Sequence, residues 1–100
     1  MVMRILTLAA IAVLMPAAAF ASTQAETRIA DGFMHLGMAR PRAVCYGGTI
    51  GGQLDQQQAS KAASIVESAG SSKQVRESVL KAGKPMINAF TLAHRHCGGA

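Results

Sequence analysis

Two cysteines, Cys45 and Cys97, constrain this 100-residue chain more than any other feature. If they are joined, residue 45 must lie beside residue 97, and the link closes more than half of the chain into one loop. Whether they pair depends on compartment, because disulfides persist in oxidising surroundings and are rare in reducing ones. The compartment is indicated at the other end of the sequence.

Residues 1–21 read MVMRILTLAAIAVLMPAAAFA. Arg4 supplies a short positive start, Ile5 to Met15 is apolar apart from Thr7, and Pro16 ends the run. Ala19-Phe20-Ala21 then places small residues where a signal peptidase reads them, so the segment is expected to be a secretory signal peptide cleaved after Ala21. The 11 residues from Ile5 to Met15 are too few to span a bilayer, which needs about 20 apolar residues. No transmembrane anchor is expected after cleavage, and the expected destination is the bacterial periplasm or exterior. In that setting one Cys45–Cys97 disulfide is expected. A redox-active pair would favour Cys-x-x-Cys, which is absent.

Removing residues 1–21 from the 100 leaves 79, a single small domain at most. Much of the 50% hydrophobic content goes with the leader, in which only Arg4, Thr7 and Pro16 fall outside that class. The remaining nine Lys and Arg and five Asp and Glu are scattered rather than clustered, so nucleic acid is not an expected partner. The mildly basic surface is compatible with contact to anionic lipid, although no motif supports it.

Residues 22–27 (STQAET) are polar and expected to form a disordered lead-in, leaving one helical domain over 28–100. From Arg28 to Ala39, Ile29, Phe33, Leu36 and Met38 recur near helical spacing. Pro41 starts a second helix, on which Ala43, Tyr46, Ile50 and Leu54 share one face. Gly47, Gly48, Gly51 and Gly52 weaken that helix, yet form two small-x-x-x-small pairs that admit a close neighbour, and a glycine-rich loop is the alternative. Asp55 is expected to cap a third helix with Ala59, Ala62, Val66 and Ala69 inward, stopping at Gly70. Ser72 is expected to cap a fourth, with Val75, Val79 and Leu80 inward. Gly83 closes it, and Pro85 opens a last helix striped by Met86, Ala89, Phe90, Ala93 and Cys97. No stretch alternates like a strand. The fold expected is all-α, a small bundle of four to five short helices closed by the disulfide.

Chemistry-bearing residues are few. His94 and His96 flank Arg95 beside Cys97, but alternate helical residues point about 200° apart, so both reach one ion only if the helix frays. Met34, His35 and Met38 form a second ligand set suited to a soft metal such as Cu(I). These five residues are the weak metal candidates, for copper or zinc, against the plainer reading of helix-dipole partners and core-filling methionines. No nucleophile motif, haem-attachment motif or carboxylate pair is present, so neither an enzyme nor a resident cofactor is expected.

In size, export signal, helicity and single cysteine pair, the chain resembles periplasmic acid-stress chaperones of the HdeA type. That resemblance implies a holdase active at low pH, whereas five carboxylates give little to titrate on acidification. The principal expectation is a non-enzymatic binding module of the bacterial envelope. It would bind an envelope protein or a second copy of itself through the small-residue helix 41–54 and exposed Met86 and Leu92.

Overall fold

The computed structural model describes residues 17–98. They form five helices: α1 Ala17–His35, α2 Arg40–Gln53, α3 Gln56–Ser68, α4 Ser72–Ala82 and α5 Lys84–His96. No strand occurs among the described residues. The expected all-α bundle is therefore the observed architecture. Among the described residues no helix is long and apolar enough to cross a membrane. Residues 1–16 of the expected leader lie outside the described residues.

α1 departs from expectation at both ends. Residues 22–27 are helical rather than a loose lead-in, and Ala25 is buried. The polar STQAET run carries no apolar stripe, so its helicity comes from its neighbour. Gly47 and Gly51 on α2 are both buried, and a Cβ at either would run into Glu26 of α1. The Gly47/Gly51 pair thus forms the flat strip on which α1 lies. Gly48 and Gly52 face open space. Gly32 serves the other flank of α1, where an added Cβ would sit 2.6 Å from Val66 Cγ1 on α3.

At its far end α1 stops at His35 rather than Ala39. The Gly37 N–H donates to the Met34 carbonyl at 3.0 Å, and the Met38 N–H donates to the Phe33 carbonyl at 3.0 Å. This is a Schellman stop, which requires the φ of +100° that Gly37 supplies. Leu36 and Met38 kept helical spacing in the sequence but belong to the cap and connector.

The remaining elements follow local rules. Asp55 accepts the Gln58 N–H at 2.8 Å and caps α3 as expected. α4 is capped by Ser71, one residue before the expected Ser72, through the Gln74 N–H at 3.3 Å. Gly83, at φ +102°, ends α4 and begins α5 without a break. The core gathers Ile29 and Phe33 from α1, Ala43 and Ile50 from α2, Val66 from α3, Val75 and Val79 from α4, and Met86 and Ala93 from α5. Two sequence expectations change here. Met86 is fully buried and offers no docking surface, whereas Leu80 is 60% exposed rather than inward.

Cys45 on α2 and Cys97 at the C-cap of α5 form the expected disulfide, with Cα atoms 5.6 Å apart. The Thr49 hydroxyl, one turn along α2, donates a 3.6 Å hydrogen bond to Cys97 Sγ. A disulfide-bonded chain of this kind is compatible with an extracellular location.

Arg28 of α1 and Glu67 of α3 form a two-pronged ion pair, with Nε donating to Oε2 at 3.2 Å and Nη2 to Oε1. The hydrogen bonds from Arg28 are the main cause holding the Glu67 carboxyl below its ordinary range, and Coulomb attraction adds to them. A carboxylate depressed in the folded state contributes stability above its unfolded pKa, about 4.3 for Glu, and loses it as pH falls through the folded value. Both side chains are more than 40% exposed, so solvent screening keeps the contribution small. Glu67→Gln is expected to cost less than about 1 kcal/mol in urea unfolding at neutral pH. The difference from wild type should vanish once pH drops below the depressed carboxylate range.

Candidate functional site

The end of α1, the first turns of α2, α4 and the middle of α5 do not close completely over the core. They leave a groove of about 690 Å³. It is lined by Phe33, Leu36 and Met38 from the end of α1 and the following connector, and by Val75, Val79 and Leu80 from α4. Ile87 and Phe90 of α5 also line it. Phe33 is the hub of its aromatic base. Its ring meets Tyr46 edge-on at 5.1 Å between centroids and lies 6.3 Å from Phe90 in a tilted arrangement. Such edge-to-face geometry matches the ring quadrupoles and fixes the rings' orientation.

Polar groups are placed at a few points around this apolar surface. Tyr46 OH and His94 Nδ1 share a 3.1 Å hydrogen bond that ties α2 to α5. Arg42, one turn before Tyr46, holds its guanidinium carbon 5.9 Å from the Tyr46 ring centroid, in cation–π range. Its Nε is shielded from solvent and has no hydrogen-bond partner among the described residues. An unsatisfied buried donor costs roughly 1–3 kcal/mol, more when charged, so packing leaves this N–H unpaired at a cost, and only the terminal Nη groups are open to a partner. Arg76 on α4 also lines the groove. No Asp or Glu does so among the described residues.

The sequence candidates are distributed unevenly about this site. Met38 and His94 line the groove, whereas Met34, His35 and His96 do not. Met34 lies in the last turn of α1, whereas the Schellman stop at Gly37 places Met38 in the connector to α2. Both pack against the core as partly buried side chains. His35 and His96 are exposed. Among the described residues no three or more His, Cys, Asp or Glu lie close enough together to hold a metal ion. The Gly47/Gly51 face of α2 is taken up by α1 and is an internal contact, whereas Gly48 and Gly52 remain exposed. Leu92 is 38% exposed, as expected.

Sequence reasoning missed Arg42, Tyr46 and Leu80 as site residues. The available signal was the i, i+4 spacing of Arg42 and Tyr46 on the inward face of α2. A second depression of about 430 Å³, between α3 and α4, is lined mainly by polar groups such as Lys61, Ser64 and Glu77. Ile65 and Ala69 also line it, but no aromatic side chain among the described residues does. No protein-family model, curated protein or solved structure matches this chain.

Proposed function

We propose that this chain is a non-enzymatic binding module, exported to the bacterial periplasm or exterior, that works through the groove between α1, α2, α4 and α5. The observation carrying this reading is the groove itself, an apolar, aromatic-based concavity of about 690 Å³ with few polar groups at its edge. Ligand sites typically have this character and a volume of about 300–1,000 Å³. The leader-like residues 1–21 and the Cys45–Cys97 bond support export. The absence of a nucleophile motif or carboxylate pair in the sequence supports binding without catalysis.

Leu80 provides the test, because it lines the groove while lying 60% exposed, so changing it leaves the core intact. An environment-sensitive apolar dye should bind the oxidised protein and gain fluorescence. Leu80→Gln should weaken that binding roughly fivefold, the order of a partly lost leucine contact, with an unchanged thermal melt. Absence of dye binding to wild type, or equal binding by the variant, overturns the reading. Intact mass of the exported protein, with and without reductant, reports cleavage after Ala21 and the disulfide in the same experiment.

A further inference from the structure

Resting on the binding-module reading, we infer that the groove takes a free long-chain carboxylate, an amphiphile with an anionic head and an alkyl tail. Arg42 receives the head, and the apolar walls receive the tail. Three observations converge on this ligand class.

The first is charge. Arg42 and Arg76 both line the groove and no described lining residue is acidic. The chain's five acids are placed elsewhere: Glu26 beside Gly51, Glu67 paired with Arg28, Asp55 capping α3, Glu77 on the α3–α4 depression and Asp31 outside the groove. An anion entering here therefore meets cationic neighbours without a competing carboxylate.

The second is the state of Arg42. Its guanidinium is held near the Tyr46 ring, whose hydroxyl is fixed by His94, and its Nε is closed off by packing, which leaves the terminal Nη groups to meet a ligand in the groove. The rigid fork of a guanidinium matches a carboxylate with two parallel N–H···O bonds, a geometry that lysine cannot reproduce. The donor is oriented before a ligand arrives, which lowers the entropy lost on binding.

The third is the surface next to that donor. Phe33, Leu36, Met38, Val79, Leu80 and Phe90 offer aliphatic and aromatic contact in the same groove. A small inorganic anion would leave those walls in water, and an alcohol or alkane would leave the Arg42 donor unanswered. A carboxylate with an alkyl tail satisfies both. The volume is of small-molecule scale.

The test uses the oxidised full domain and isothermal titration with dodecanoate below its micelle concentration, beside 1-dodecanol and dodecylamine. Dodecanoate is expected to bind about tenfold or more tightly than either, the scale of a charge-assisted bidentate hydrogen bond. Arg42→Gln should remove that preference while leaving dodecanol binding in place, and Arg42→Lys should restore it only in part. Leu80→Gln should weaken dodecanoate and dodecanol alike. Because Arg42 also touches the Tyr46 ring, Arg76→Gln provides a surface variant in which the preference for the anion should fall without loss of fold. Equal affinity for dodecanoate and dodecanol overturns the carboxylate assignment and leaves the groove reading standing. No binding of either overturns both. Arginine-dependent capture by phosphatidylglycerol vesicles that exceeds binding of monomeric dodecanoate overturns the free carboxylate in favour of a lipid surface.

Discussion

Gly47→Ala is expected to destabilise the domain by about 1–2 kcal/mol, while Gly48→Ala stabilises it by roughly 0.5–1 kcal/mol. The two glycines are neighbours on one helix, and helix propensity favours Ala at both by about 1 kcal/mol. What separates them is the surface each faces. A Cβ on Gly47 collides with the Glu26 carbonyl oxygen, and lies 3.3 Å from both the backbone nitrogen and the Cβ of Ala30. Backbone cannot swing aside as a side chain does, so α1 must move away from α2. Overpacking of this kind costs about 1–3 kcal/mol and occasionally more, enough to exceed the propensity gain. A Cβ on Gly48 meets nothing within 4 Å. Gly51→Ala should fall between them, because its obstacle is the Glu26 side chain, which can change rotamer. Urea unfolding of the three variants checks the order. Shifts of the same sign for Gly47→Ala and Gly48→Ala would mean that α1 does not lie on the Gly47/Gly51 face.

The same contact explains what could be read from the sequence and what could not. Helices α2 to α5 announce themselves locally, through Pro41, Asp55, Pro85 and apolar residues three and four apart. Even the glycine-rich α2 was recoverable, because Ala43, Tyr46 and Ile50 keep one face and all three are buried. Residues 22–27 could not be recognised, since their helix depends on a strip of glycine some 20 positions away. The stop at Gly37 was hidden for a different reason. A Schellman cap sets the hydrophobic residue after the glycine against the preceding turn, so Met38 still looks like the next residue of a helical stripe. The groove is less legible still. Its lining runs from Phe33 to His94 and exists only once α2 and α5 are brought together. Leu80 illustrates the point, because its place beside Val79 suggests core, and only the assembled bundle shows that it faces the groove and solvent.

Replacing both cysteines by alanine is expected to remove about 4 kcal/mol of stability, by the chain-entropy account of a loop this long. The sequence separation of 52 makes the link long-range, so its loss mainly enlarges the unfolded ensemble. For a domain of this size the total stability is only about 4–12 kcal/mol, so the variant should melt roughly 15–30 °C lower. Function should be affected beyond stability. α5 packs mainly on α2 and α4, and the disulfide fastens its last turn directly to α2. That last turn carries His94, the hydrogen-bond partner of Tyr46, and the turn before it carries Phe90 of the groove. Freed of the disulfide, the end of α5 frays from α2 and the groove loses one side before the rest of the bundle unfolds. Dye and dodecanoate binding are therefore expected to fall at temperatures where far-ultraviolet circular dichroism still reports a folded Cys45→Ala/Cys97→Ala protein. Oxidised wild type should retain binding up to its own melting transition. If binding and helix content are lost together in the variant, α5 is held by its packing rather than by the disulfide. A stability loss below about 1 kcal/mol would show that the unfolded chain gains little freedom when this loop is opened.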